Sequence, residues 1–220
     1  MIRKTAKITI NKRRLQAQAA KGLNKAQLKE VARKKAQTML DLAREELIND
    51  FEASAVTKEL EAGGGNFQNL SGTLMGVPYG QGSIFGFIGF NAGDKPSELV
   101  REYLRSSGRL YKTSRFQKRG LRGGSYNFRV KVPSLNEIES FTPMPFEGGR
   151  SWARGIERGI SGLSHYMAAK KASVQKASKS GQGIQVRGAY HSGAVYRPTK
   201  YISHMINNFI QRLKGRKVAK

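Results

Sequence analysis

Residues 24–52 read NKAQLKEVARKKAQTMLDLAREELINDFE, and this stretch predicts one long amphipathic helix. Asn24 followed by Gln27 is a capping-box signature, so we expect the helix to begin there and to run for about seven turns. Its apolar side chains recur at three- and four-residue intervals on one face, namely Leu28, Val31, Ala32, Met39, Leu40, Ala43, Leu47, Ile48 and Phe51.

Strands are predicted on both sides of the chain's middle. Residues 125–132 alternate between apolar and polar side chains, as in a half-buried strand. Ser83–Phe90 is rich in Phe and Ile and predicts another strand, while Ile8 and Ile10 alternate in a basic arm and predict a short one. The apolar face of the 125–132 strand comprises Tyr126, Phe128, Val130 and Val132.

Four more helical segments are predicted. A short helical turn is expected at 54–62, and Pro96 begins a helix that Gly108 ends, with Leu99, Val100, Tyr103 and Leu104 buried. Another helix is expected at 150–168, and a last one begins at Pro198. The apolar stripe of the 150–168 helix comprises Trp152, Ile156, Ile160, Leu163 and Met167.

These elements predict an α+β fold, in which a mixed or antiparallel sheet packs against the long N-terminal helix and a closing helix. The expected parts of the chain are a basic N-terminal arm at 1–23, a core domain at 24–169 with an arginine-rich insertion at 105–124, and a linker with a basic C-terminal extension and terminal helix at 170–220.

The charge balance restricts the partners of the chain. Forty Lys and Arg against fifteen Asp and Glu give a net charge of +25 over 220 residues. Self-repulsion of this size is tolerated where a polyanion or an acidic partner neutralises it, nucleic acid first and an acidic protein surface second. No apolar run approaches the length of a membrane span, so we expect no membrane partner. The absence of cysteine indicates an intracellular or intravirion product.

The charge is distributed in blocks of alternating sign. Residues 1–35 carry twelve basic side chains and one acid, 36–65 carry seven acids and two basic side chains, and 101–131 carry ten basic side chains and one acid. Such a chain can pair head to tail with copies of itself or dock between unlike neighbours.

No catalytic constellation is found in the sequence. His165, His191 and His204 are far apart and lack metal-ligand spacing, and no phosphate-binding loop or nucleophile elbow is present. The carboxylates of 41–61 fit an ion-pairing face better than an acid–base pair. We therefore expect no enzyme, cofactor, metal or small-molecule substrate.

A basic segment bounded by glycines is the strongest binding signal. Tyr111 and Phe116 interrupt it, and such interleaving suits a phosphate backbone and, for single strands, base stacking. No helix-turn-helix, zinc-finger or RNP pattern accompanies it, so contact with DNA is expected to be independent of sequence. The candidate contacts for DNA or an acidic partner are Arg109, Lys112, Arg115, Lys118, Arg119 and Arg122.

Two short motifs bracket the central region. Ser71-Gly72-Thr73-Leu74 follows the long helix, and Pro143-Met144-Pro145-Phe146 with Arg150 leads into the Trp152 helix. Between about 26 and 168, this order resembles the tail-completion and head–tail joining (neck) proteins of long-tailed bacteriophages. A helix and the arginine-rich segment stand where that family usually has a Tyr-Ala strand and a Glu-Phe-Gly turn.

The resemblance implies a homo-oligomeric ring around the DNA channel of a virion assembled in the host cytoplasm, between portal-side and tail-side proteins. It implies family-motif or subunit-packing roles for Ser71, Gly72, Leu74, Pro145, Phe146 and Trp152. Two alternatives remain open: a stand-alone, sequence-independent nucleic-acid-binding protein, such as a ribosome-associated or packaging factor, and another virion component, such as a head-completion adaptor, tail terminator or collar protein.

Overall fold

The computed structural model describes the chain in nine stretches between Thr5 and Gly215. The described residues are 5–18, 24–63, 69–75, 83–119, 123–145, 147–159, 165–168, 184–187 and 195–215.

The secondary structure mixes helices with antiparallel strands. The described helices are α1 (Lys12–Gln18), α2 (Lys25–Ala53), α3 (Ala55–Glu61), α4 (Ile84–Ile88), α5 (Pro96–Ser106), α6 (Leu135–Ser140), α7 (Trp152–Arg158) and α8 (Ile202–Leu213). The described strands are β1 (Thr5–Asn11), β2 (Leu74–Met75), β3 (Arg109–Arg119), β4 (Gly123–Lys131), β5 (Pro143–Met144), β6 (Glu147–Ser151), β7 (His165–Ala168), β8 (Ile184–Arg187) and β9 (Val195–Tyr196). The α+β class predicted from the sequence is confirmed.

The chain divides into two compact units. The first consists of Met1–Asn49, Leu104–Ser134 and Met205–Lys220, and the second of Asp50–Tyr103 and Leu135–His204. The division into parts at residues 23 and 169, expected from the sequence, stays a prediction.

The long helix begins as its capping box predicts. The backbone N–H of Asn24 donates to Gln27 Oε1 at 2.9 Å, and the backbone N–H of Gln27 donates to Asn24 Oδ1 at 2.9 Å. This reciprocal pair satisfies two donors that a helix start otherwise leaves open. The residues of α2 that the first unit buries are Leu28, Ala32, Ala36, Leu40, Ala43 and Leu47.

A three-stranded antiparallel sheet in the order β1-β4-β3 belongs to the first unit. Part of the expected N-terminal arm therefore forms an edge strand, as the alternation of Ile8 and Ile10 predicts. One face of the sheet is apolar because side chains alternate along each strand. Its buried members are Ala6, Ile8, Ile10, Tyr126, Phe128 and Val130.

Gly124 lies where the β3–β4 pairing leaves no room for a side chain. A Cβ there would overlap the Phe116 ring and lie 3.0 Å from the Gln117 carbonyl oxygen. Phe116 packs against Tyr126 with ring centroids 5.0 Å apart. We expect Gly124→Ala to lower the free energy of unfolding by about 1–2 kcal/mol through overpacking, measured by urea denaturation.

The matched control removes the obstructing ring. In a Phe116→Ala background, the added Gly124→Ala substitution should cost only a few tenths of a kcal/mol, because a shared clash makes the two effects non-additive. Equal costs in both backgrounds would show that the ring is not the obstacle.

The strand predicted at Ser83–Phe90 is wrong, because these residues form the helix α4. Ser83 Oγ caps it by accepting from the Gly86 backbone N–H at 3.3 Å, and Gly89 ends it in the left-handed conformation at φ 91°. The whole of Ile84–Ile88 is buried. A short apolar run without alternation does not distinguish a buried helix from a buried strand.

The helix predicted at 150–168 is too long. α7 ends at Arg158, and Gly159 then takes φ 90°, a conformation that glycine adopts without strain. Met167, expected on the helix, lies on β7 opposite Gln185 of β8. The expected burial of Leu99 is also wrong, since 57% of this residue is exposed.

The terminal helix is confirmed as α8, but its predicted start at Pro198 is wrong, since the helix begins at Ile202. Its apolar side is buried at Ile202, Met205, Ile206, Phe209 and Leu213. The expected linker at 170–183 and the tail beyond Gly215 lie outside the described residues. Among the helices that the structure describes, none is both long and apolar enough to cross a membrane.

Candidate polyanion interface

The outward face of the three-stranded sheet is strongly basic. The strands β1, β3 and β4 together contain eight Lys and Arg and not one Asp or Glu. Because directly paired residues share a face, the register shows which side chains lie together. Lys7 pairs with Arg129, Arg109 pairs with Lys131, and Arg115 pairs with Asn127.

We name this surface the cationic sheet face and define it as Lys7, Arg109, Arg115, Arg129 and Lys131. The first four are exposed and Lys131 is half-buried. Within the described part of the chain, no ion pair neutralises Lys7, Arg115 or Arg129.

Like charges are placed directly opposite each other on this face. Lys7 lies across from Arg129 on neighbouring strands, and such a pair destabilises a sheet relative to neutral residues. Opposite charges at these positions would stabilise the free protein more. The arrangement therefore suits a surface whose charge is neutralised by a ligand or partner.

A depression of 530 Å³ lies at the centre of the face. Lys7, Arg115, Gln117, Asn127 and Arg129 line it, together with Ser114 and Phe116. Asn127, one of the residues that line the depression, is only 6% exposed. Its side chain is fixed from two sides, by Thr9 on β1 and Gln117 on β3.

The predicted contact residues lie mainly on β3. Arg109, Lys112 and Arg115 are exposed there, Lys118 and Arg119 pair with Gly124 and Gly123, and Arg122 lies outside the described residues. The face also contains residues absent from the predicted set, namely Lys7, Arg129 and Lys131.

The aromatic part of the basic segment has a different role from the one expected. Phe116 pairs with Tyr126, which belongs to the buried face, and their rings are in contact. This side chain therefore packs on the apolar side of the hairpin. The cationic sheet face offers charge and amide groups for phosphates, while base stacking on Phe116 is not supported.

The Ser71–Leu74 motif is held by a buried carboxylate in the second unit. Glu59 on α3 is 0% exposed and accepts hydrogen bonds from the backbone N–H groups of Ser71 and Ile84. Gly72 has φ 64°, and Leu74 is 5% exposed. The motif is thus a tight turn that is exposed at Gly72 and buried at Thr73 and Leu74, and Glu59 joins it to the start of α4.

The second motif lies partly outside the described residues. Phe146 lies outside the described residues, and Pro145 is half-buried. Trp152 is 3% exposed and packs edge-on against Phe90, with ring centroids 6.0 Å apart. Its position accounts for packing within the second unit, and a role between subunits stays a prediction.

Among the described residues, no group of three His, Cys, Asp or Glu side chains is arranged to hold a metal. Comparison with protein-family models, curated proteins and solved structures found no match to this chain.

Proposed function

We propose that this chain is a structural protein of a tailed bacteriophage that forms a ring in the neck, around the DNA channel. It would act there as a head–tail joining or tail-completion protein, between portal-side and tail-side proteins. The observation that carries the proposal is the cationic sheet face. Its exposed cations lie on a three-stranded sheet without an acidic residue, which suits contact with phosphates independent of base sequence.

Charge segregation within the first unit supports a ring. Asp41 and Glu45 are exposed on α2, whereas the sheet of the same unit exposes only positive charge among its ionisable groups. A ring closes through heterologous contacts, in which one surface of a subunit meets a different surface of the next. Segments of opposite sign on one chain favour such contacts and oppose like-to-like pairing.

Neutralising the centre of the face tests the contact with DNA. We expect the triple variant Lys7→Gln, Arg115→Gln, Arg129→Gln to bind a short duplex more weakly. Each phosphate contact contributes about 0.9 to the slope of log K against log salt, so the slope should become shallower by about 2–3. Fluorescence anisotropy over a salt series measures both quantities.

A triple variant on α2 is the matched control. Lys25, Lys29 and Arg33 are exposed, and changing all three to Gln removes the same charge from the same unit. We expect this variant to retain most of the affinity and slope. If both triples lose affinity equally, net charge alone governs binding and the cationic sheet face is not the interface.

Assembly is tested separately from DNA binding. We expect light scattering to show little self-association of the isolated chain and closed rings on addition of the portal-side or tail-side partner. Electron microscopy of the mixture should show the rings. A chain that stays monomeric with every neck component and never enters particles would overturn the neck proposal.

One observation favours a second function, that of a stand-alone nucleic-acid-binding protein. All five cations of the cationic sheet face come from one unit of a single chain, so the surface is complete without a second subunit. Tight duplex binding by a persistent monomer, released at high salt, would favour this function over the ring.

A further inference from the structure

In the hydrogen-bond network at the centre of the cationic sheet face, each side chain donates to the next, from Thr9 through Asn127 to Gln117. Thr9 Oγ1 donates to Asn127 Oδ1 at 3.0 Å, and Asn127 Nδ2 donates to Gln117 Oε1 at 3.1 Å. Each of the two side-chain carbonyl oxygens in this chain of bonds therefore already accepts one hydrogen bond. The network ends at the Gln117 amide nitrogen, which carries two N–H donors.

The depression consequently offers donors to a ligand. Lys7, Arg115 and Arg129 cannot accept hydrogen bonds, and Gln117 contributes its amide N–H groups. The edge of a nucleic-acid base combines donors with acceptors, whereas the free oxygens of a phosphate only accept. The chemistry of the depression therefore fits phosphate better than a base edge.

We propose that this depression is a subsite for a backbone phosphate of nucleic acid, centred on Lys7, Arg115, Gln117 and Arg129. The proposal rests on the polyanion contact of the proposed function and names its central ligand. An isolated carboxylate would also accept these donors. The cations, however, continue in a second row at Arg109 and Lys131, and Lys131 lies two residues, or about 6.8 Å, beyond Arg129 along β4. A polymer with regularly repeated charges can engage both rows.

Gln117→Glu tests the subsite in the full-length chain. The substitution replaces two donors with a carboxylate among three cations. We expect the melting temperature of the ligand-free protein to stay equal or rise, because the new charge offsets like-charge repulsion. Duplex affinity should fall about tenfold, since the ligand loses donors and meets a charge of its own sign. Opposite effects on stability and binding are not expected of a residue with a purely structural role.

Two further variants separate the causes. Asn136→Asp makes the same charge change at an exposed position of α6 and should leave duplex affinity within about twofold of the wild type. Gln117→Met removes the donors without adding charge and should weaken binding by a smaller factor than Gln117→Glu. Far-ultraviolet circular dichroism verifies that each variant is folded.

Inorganic phosphate and polyglutamate are the additional probes, used at constant ionic strength. Phosphate should raise the melting temperature of the wild type and not that of Gln117→Glu, because a ligand stabilises only the state that binds it. Equal loss of duplex affinity in Gln117→Glu and Asn136→Asp would overturn the subsite, while duplex binding by the wild type would still support the proposed function.

Two further outcomes distinguish nucleic acid from free phosphate and from a carboxylate polymer as the ligand. A wild type that responds to phosphate but not to duplex would uphold a phosphate subsite and contradict the DNA contact. Polyglutamate that binds as tightly as the duplex, with the same sensitivity to Gln117→Glu, would show that the ligand is a carboxylate polymer and overturn the assignment to nucleic acid.

Discussion

Glu59→Gln is expected to lower the free energy of unfolding by about 2–4 kcal/mol, a fall in melting temperature of roughly 4–16 °C for a chain of this size. The Glu59 carboxylate is fully buried and accepts from two backbone N–H groups, those of Ser71 and Ile84. Glutamine keeps one oxygen and turns an amide group toward the other N–H. A buried donor is then left without an acceptor, which costs more than the hydrogen bond itself contributes.

Glu102→Gln is the control for the loss of one negative charge. Glu102 is exposed on α5, so its substitution should change stability by no more than about 0.5 kcal/mol. Denaturant titration and calorimetry measure both variants. If Glu59→Gln and Glu102→Gln are equally stable, Glu59 does not hold the Ser71 turn against α4.

The carboxylates of 41–61 show how far charge patterns predict a structure. The expected ion-pairing face is confirmed for Glu52 and Glu61, which both pair with Arg101. The hydrogen bond to Glu52 raises the pKa of the Arg101 guanidinium. Glu59 lies between these acids in sequence and is instead buried, because its helix turns this position toward the Ser71 turn. Backbone N–H partners carry no signal in a sequence, so this role could not be predicted.

Helices with strong local signals were predictable, and short buried elements were not. The capping box of Asn24 and Gln27 and the apolar stripe behind it specify α2 through contacts within a few residues. By contrast, Ile84–Ile88 is buried on all sides, so its periodicity is lost. The glycine at 159 ends α7 by its backbone conformation, and the apolar spacing that continues beyond it predicts a longer helix.

Only the part of the candidate interface that lies on β3 was predictable from the sequence. Arg109 and Arg115 belong to a contiguous basic segment that charge counting finds. Lys7 is more than a hundred residues away and joins them only because β1 pairs with β4 in a register that places it opposite Arg129. Strand pairing between distant segments depends on tertiary packing, and a single sequence does not specify the partner strand.

The stability of the protein is expected to fall steeply above about pH 10 because of Tyr201. Burial raises the pKa of Tyr201 well above its ordinary value, and its hydroxyl lies 2.6 Å from Thr57 Oγ1. In the unfolded chain the same tyrosine ionises near pH 10. Above that pH the unfolded state loses a proton that the folded state keeps. The free energy of unfolding should therefore decrease by about 1.4 kcal/mol for each further pH unit from this residue alone.

Tyr201→Phe separates this ionisation from other alkaline effects. At neutral pH the variant should be less stable by about 1–3 kcal/mol, because Thr57 is 0% exposed and loses its hydroxyl partner. Its stability should then decline less steeply above pH 10, so the two curves converge. Adding Thr57→Val should restore part of the neutral-pH stability without restoring the steep decline, since both polar partners are then gone. Denaturant titrations across the alkaline range would contradict the argument if wild type and Tyr201→Phe lose stability in parallel.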